Sequence, residues 1–355
     1  MDAPVDEGSA TELVAQMSAD FGGALVSALA YIGDRLGIFR VLADGMHRDS
    51  LQLARETGLN ERYLREWAST LVASRYLSYA PDTSAFYMTP AQAAVLADEE
   101  SPFYFAGSPL YAQACVRQVP ALLESFRHGG GVPFADYGPE ISEAIQMLFA
   151  NGYRDAVASR WIPAVTGLAE SLRSGGRVAE VGCGGGRALI AVAEAFPNSK
   201  CVGLDLDATS LERATQAAAG LGMAGRVTFH QRAAEDLSGA GQFDLVMAFN
   251  CIHDMAQPVD ALRGIRRALA PSGVLLWSEA RASDRLEENT TPLSRNLYAS
   301  SVMHCMAVSM ASGGAGLGVV LGDRVVRELA AQAEFSSCDV LPVEHPFHQV
   351  YALRA

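Results

Sequence analysis

From Thr11 to Ala43 apolar residues return every three or four positions, the period of an amphipathic helix. Gly22-Gly23 and Gly37 interrupt this run and are expected to break it. Two further helical patterns follow. One, around Leu51 to Thr57, stops at Gly58; the other opens on Asn60, a good N-cap residue, and runs to Ser74. Two short runs of strand character, 76–80 and 85–89, are joined by a Pro81-Asp82-Thr83-Ser84 turn. Helix, turn, helix and hairpin in this order predict a winged helix-turn-helix.

Residues 101–150 hold helical segments separated by the connector "RHGGGVPFADYGPE", and 152–176 predicts one helix leading into the central strand. From Arg177 onward the period changes. Short apolar runs at 177–182, 200–206, 226–231, 243–250 and 273–280 alternate with helical patterns near 188–195, 210–219, 259–269 and 324–333. Two last strands are expected at 338–343 and 348–355. This rhythm predicts an α/β fold: a Rossmann-like sheet of seven strands, mostly parallel, covered by helices on both faces, with an antiparallel strand at its end. The chain divides accordingly into a mostly helical winged-helix domain (1–100), connecting helices and a cavity segment (101–155), and the alternating domain (156–355).

Composition narrows the partners. Half of the 355 residues are apolar and the formal net charge is −13, which argues against general nucleic-acid binding and against anionic membrane surfaces. Within the helix-turn-helix, Arg48, Arg55, Arg62, Arg65 and Arg75 are balanced by Asp49, Glu56, Glu61, Glu66 and Asp82. A DNA reader carries a basic stripe, so a packing and dimerisation module is favoured and no nucleic acid is expected. The six cysteines form no CxxC pair and several sit in apolar runs, as reduced thiols in a cytoplasmic protein would. The N-terminus is acidic, unlike a signal peptide, and no uninterrupted apolar run reaches the roughly 20 residues of a membrane helix.

The stretch "EVGCGGGRA" lies between the first strand of the sheet and the next helix. It is not a P-loop, because no Gly-Lys-Ser/Thr follows. A dinucleotide fingerprint would want glycine where Arg187 stands. Instead Gly182, Gly184 and Gly186 alternate, with Glu180 two residues ahead. Asp205 ends the second strand about twenty residues beyond the loop, where an acidic side chain accepts ribose hydroxyls in folds of this type. The alternative is that Asp205 caps the helix starting near Ser210.

The acidic-x-Gly-x-Gly-x-Gly spelling resembles the first motif of the class I S-adenosylmethionine (SAM)-dependent methyltransferases. The resemblance implies that the amino-acid end of SAM lies against side-chain-free backbone, with Glu180 receiving its ammonium group. It implies that Leu206 walls the adenine, that backbone groups of Ala233 and Ala234 meet its edge, and that Asn250 offers a carbonyl to the ammonium. The product would be S-adenosylhomocysteine.

The segment "FNCIHDMAQP" is similar to the His-Asp segment of small-molecule O-methyltransferases, which puts His253 in the position of general base and Asp254 beside it. An imidazole suits removal of a phenol or alcohol proton. Asp254 either orients that base or caps the helix after Pro258. The long segment 282–322 reads equally as a substrate cover, with Tyr298, Met303, His304 and Met306 lining an apolar cavity, or as core.

"HDM" together with "HCM…GGAGLG" is similar to actinobacterial winged-helix methyltransferases, which implies a homodimer built on the N-terminal helices. A second mechanism uses the same side chains. His253, Asp254 and His304 form the ligand types of a facial iron site, as in iron-containing methyltransferases that methylate carbon of 2-oxo acids; Cys305 departs from their pattern. A reading of another class, a SAM-sensing transcription regulator, would require salt-dependent duplex affinity.

Overall fold

The computed structural model describes residues 6–355 and divides into two compact units, Met1–Gln113 and Ala114–Ala355. The first holds α1 (Glu7–Arg35), α2 (Ile38–Leu42), α3 (Ser50–Thr57), α4 (Glu61–Ala73), β1 (Ser78–Ala80), β2 (Ala85–Tyr87) and α5 (Pro90–Leu96). α6 (Gly107–Val116) spans the division. Each end of the helix-turn-helix has its own cause. Asp49 and Gln52 close a capping box at α3, Gly58 ends that helix in the left-handed region (φ 70°), and the Asn60 side chain accepts the Arg62 and Tyr63 N–H groups. Behind these helices, Phe39, Leu42, Leu53, Leu64, Trp67, Leu71 and Phe86 are buried together.

One expectation fails in this unit. α1 runs unbroken for 29 residues through Gly22-Gly23, and the chain turns only at Gly37 (φ 70°). A glycine inside a helix costs about 1 kcal/mol relative to alanine, which a long helix tolerates. The unbroken helix contains an 18-residue window of mean hydropathy 1.3, long and apolar enough by composition to cross a membrane, yet only 6% of it is buried. Leu13, Val14, Met17, Phe21 and Leu25 are all exposed.

The second unit begins with α7 (Val119–His128) and α8 (Pro139–Ala156), followed by a π turn at Val157–Trp161 and α9 (Leu168–Arg173). The single helix expected over 152–176 is thus three pieces, because Pro163 cannot continue a helix and Gly167 turns left-handed (φ 79°). Then come β3 (Arg177–Val181), α10 (Arg187–Ala195), β4 (Lys200–Asp205), α11 (Ala208–Gly220), β5 (Val227–Gln231), β6 (Phe243–Phe249), α12 (Pro258–Ala268) and β7 (Leu269–Ala280). The segment beyond folds into α13 (Pro292–Ser300), a second π turn (Ser301–Cys305) and α14 (Met306–Ala311). α15 (Gly322–Gln332), β8 (Ser337–Val340) and β9 (His348–Arg354) complete the chain.

The seven strands lie in the order β5-β4-β3-β6-β7-β9-β8. β3 to β7 are parallel, and β9 runs antiparallel between β7 and β8. Side chains alternate between two cores. Val178, Leu245 and Leu276 join Trp161 and Leu189 on one face, while Ala179, Val246 and Leu275 join Leu262, Ile265 and Leu329 on the other. Strand order reverses between β3 and β6, and at such a switch point ligands bind outside the carboxyl ends of the strands.

α12 packs so closely on the short 3-10 helix Ala234–Ala240 that a Cβ at Gly264 would come 2.7 Å from Glu235 Cα. Gly264→Ala should therefore destabilise the protein by about 1–3 kcal/mol, against the usual gain for alanine in a helix. Denaturant unfolding measures it, and a stabilised variant would refute the packing argument.

Candidate active site

The loop after β3 is held by its own backbone conformation. Gly182, Gly184 and Gly186 all have positive φ (62°, 47° and 70°). A Cβ at Gly182 would strike Cys251 and one at Gly186 the Phe229 ring, so these two glycines serve packing. At Gly184 it would meet nothing within 4 Å. The middle of the loop faces open space, as a backbone cradle for a ligand requires.

Asp205 is bound to that loop. Its Oδ2 accepts the Gly184 N–H (2.8 Å) and its Oδ1 the Asp207 N–H (2.9 Å). It does not cap α11; Asp207 does, accepting from Thr209 and Ser210. Burial raises the pKa of Asp205. Leu206 beside it is exposed, Ala233 is half-buried at the start of the 3-10 helix, and Ala234 is buried in the core beneath.

Glu180 is buried, and its Oε2 accepts the Leu189 N–H at 3.1 Å, in the first turn of α10. Burial pushes its carboxyl up to about 8, with nearby Asp205 adding to the shift. The cap was not foreseen in the sequence, because the loop returns the chain only in three dimensions.

Asn250 follows β6 in the left-handed region (φ 48°), its N–H donating to the Ser278 carbonyl (2.9 Å). Its side-chain amide lies 2.7 Å from the Tyr153 hydroxyl and 2.7 Å from His348 Nε2. His253 comes next, on a single 3-10 turn (Ile252–Asp254), and is buried. Its Nδ1 lies 2.5 Å from Glu279 Oε2 and its Nε2 3.2 Å from Asp254 Oδ1. Trp277 Nε1 donates to the other Glu279 oxygen (2.8 Å). Burial works against the imidazolium, but the facing carboxylates of Glu279 and Asp254 outweigh it and raise the His253 pKa well above its usual value. Asp254 does not cap α12, whose first residue is preceded by Gln257 without a side-chain cap.

The 282–322 segment carries the four side chains expected to line a substrate cavity, on α13, the second π turn and α14. His304 is buried edge-on to Tyr137 (centroids 4.9 Å apart), and the Tyr137 hydroxyl donates to the Met303 carbonyl (2.7 Å). Burial lowers the His304 pKa. Tyr298 lies at the surface, its hydroxyl accepting from Asn289. Met306 lines an apolar cavity of about 170 Å³ with Leu122, Phe126, Val302 and Met310. For the iron set, the donor atoms that converge among the described residues are those of His253, Asp254 and Cys305, and His304 is not among them. His304 lies next to that set, its Nδ1 3.8 Å from Cys305 Sγ.

A seven-stranded sheet in this order, with a glycine cradle at the switch point and an acidic residue ending the next strand, defines the class I methyltransferase fold. Residues 172–333 match the family described as a methyltransferase domain, and residues 24–98 match the Rv2258c-like winged HTH domain. The chain accordingly carries a methyltransferase domain and a winged HTH domain, which supports a SAM-dependent methyltransferase. No curated protein matches the sequence. Among solved structures it is similar to the mitomycin 7-O-methyltransferase MmcR (TM-score 0.71, 19% identity, 98% of this chain and 100% of that one). It is also similar to an O-methyltransferase family protein from Burkholderia thailandensis (0.71, 16%, 99% of both). Human N-acetylserotonin methyltransferase, solved with SAM, matches over the full length of both chains (0.69, 17%). Identities this low establish the shared fold.

The Glu180 carboxyl gives a pH test. Unfolded, it ionises near 4.5; folded, it keeps its proton to about 8. Between these values the folded chain binds more protons than the unfolded one, so Glu180 makes stability fall as pH rises. Glu180→Gln retains an acceptor for Leu189, and its stability relative to wild type should climb from pH 5 to pH 8 in denaturant unfolding. A pH-independent difference would refute the assignment.

Proposed function

We propose that this enzyme methylates an oxygen of a small, largely apolar metabolite, with His253 as general base. The observation that carries the reading is the buried His253 imidazole at the carboxyl end of β6, held through Nδ1 by Glu279. Bound in the cradle, SAM supplies an electrophilic methyl group on a sulfonium. The open side of Gly184 receives its amino-acid end, Glu180 and the Asn250 carbonyl meet the ammonium, and Asp205 accepts from the ribose. Leu206, Ala233 and Ala234 border the adenine. The residues fit this donor because the loop has room only where Gly184 lacks a side chain.

With the donor bound, His253 would take the acceptor's proton on Nε2 while the methyl group passes to the acceptor oxygen and its bond to sulfur breaks, leaving the thioether S-adenosylhomocysteine. Glu279 keeps the ring oriented and stabilises the imidazolium that results; Asp254 adds to that charge. In the resting enzyme both carboxylates favour the protonated ring, so activity rises with pH as His253 loses that proton. The apolar cavity of about 170 Å³ behind Met306 suits one aromatic ring, since a cavity of about 150 Å³ accommodates benzene. His304, Met303 and Tyr298 belong to the same cover.

The winged-helix domain serves assembly. Arg62 pairs with Glu66, Arg65 with Glu61 and Arg48 with Asp44 and Glu56, so these arginines are already neutralised, which disfavours the regulator reading. The exposed apolar side chains of α1 support a homodimer through the N-terminal helices. The six free cysteines suit a reducing cytoplasm.

His253→Ala should retain SAM binding by calorimetry while transfer falls by about 10²–10⁴-fold; full activity would rule out the base. Removing one facing charge lowers the imidazole pKa, so Glu279→Gln should move the acid limb of the kcat/KM profile to lower pH, and an unmoved limb would exclude this pairing. For assembly, Phe21→Glu should convert a dimer to a monomer in sedimentation, whereas an unchanged dimer would remove α1 from the interface.

A further inference from the structure

Three donor atoms of different chemistry converge beside β6. The imidazole of His253, the carboxylate of Asp254 and the thiol of Cys305 present ligand atoms that all lie within 4.8 Å of one another. His253 and Cys305 are buried and Asp254 is half-buried. The ring is already oriented for a ligand, because Glu279 occupies Nδ1 and is itself held by Trp277. That arrangement, a carboxylate fixing the far nitrogen of an imidazole, is the support that metal-bound histidines ordinarily have. On the near side, Asp254 Oδ1 faces Nε2 at 3.2 Å, so a carboxylate oxygen and the ring nitrogen already stand together where a cation would replace the proton between them.

The third ligand decides which cation. Cys305 ends the π turn at Ser301–Cys305; such an insertion rotates the helical faces relative to a regular α-helix and is frequent at functional sites. A sulfur beside an imidazole and one carboxylate is a soft-to-borderline set, suited to zinc-class ions and poor for magnesium or calcium, which require oxygen ligands.

We propose that His253 Nε2, Asp254 Oδ1 and Cys305 Sγ form a site for one thiophilic divalent cation of the zinc class, and that this ion inhibits transfer by occupying Nε2. Binding forms three metal–ligand bonds, releases the Cys305 thiol proton and the His253 Nε2 proton to solvent, and involves no change of oxidation state. Three protein ligands leave one position of a tetrahedral ion open to water. The binding claim stands on these side chains alone. The inhibitory claim rests on His253 acting as the base.

Cobalt(II) reports thiolate ligation through a sulfur-to-metal charge-transfer band. Titrating the full-length protein with cobalt should develop that band at one equivalent, and zinc should bleach it. Cys305→Ser should lose the band, and Asp254→Asn should weaken cobalt binding at least tenfold, with both variants keeping wild-type SAM affinity as the check on folding. No band in the wild type, or an undiminished one in Cys305→Ser despite intact SAM binding, would overturn the site. Zinc should then suppress wild-type turnover, and turnover unaffected at saturating zinc would overturn the inhibitory role. Should His253→Ala prove fully active, the base reading fails while the cobalt band still decides the site by itself.

Discussion

The Gly184 N–H and the Asp205 carboxylate form the hydrogen bond on which the donor end of this protein depends. At 2.8 Å it ties the loop after β3 to the end of β4, beside the point where strand order reverses. The loop can reach Asp205 only because three glycines take positive φ, a region costly for residues with a Cβ. Asp205 is available for the loop because the neighbouring Asp207 takes over the cap of α11. Glu180, facing the same loop from β3, secures the first turn of α10. One backbone bend thus positions a strand end, two helices and two acidic side chains.

A second constraint lies across the switch point, where charge is concentrated in a dry place. Burial opposes a charged His253, yet two carboxylates stand against its two ring nitrogens. In a low-dielectric interior such pairings are strong, and breaking one leaves the other charge stranded. The same nitrogen that would take a proton from an acceptor would be the ligand of a thiophilic ion, so catalysis and metal binding exclude one another at Nε2.

Much of the fold was legible because it follows from local rules. Alternating apolar runs marked β3 to β7 to within a few residues, and Asn60 and Gly58 marked helix ends through capping chemistry that needs no tertiary partner. Gly22-Gly23 misled because a flexible pair does not by itself end a helix, whereas Gly37 turns the chain through a left-handed φ. The region 152–176 misled in the opposite sense: its apolar spacing is helical, but Pro163 and a π turn divide it. The convergence of Cys305, rather than His304, with His253 and Asp254 had no sequence signal, because a π turn shifts register without altering composition.

By itself the sequence determined the alternation of strands and helices after Arg177, the glycine loop with Glu180 and Asp205, and the His253-Asp254 pair, since periodicity, backbone freedom and motif spacing are properties of neighbours along the chain. The tertiary structure alone decided that Glu180 caps α10, that Asp207 rather than Asp205 caps α11, and that Glu279 reaches His253 from the adjacent strand. Those outcomes depend on which side chains meet across a parallel sheet, and strand register and burial are settled by packing of the whole domain.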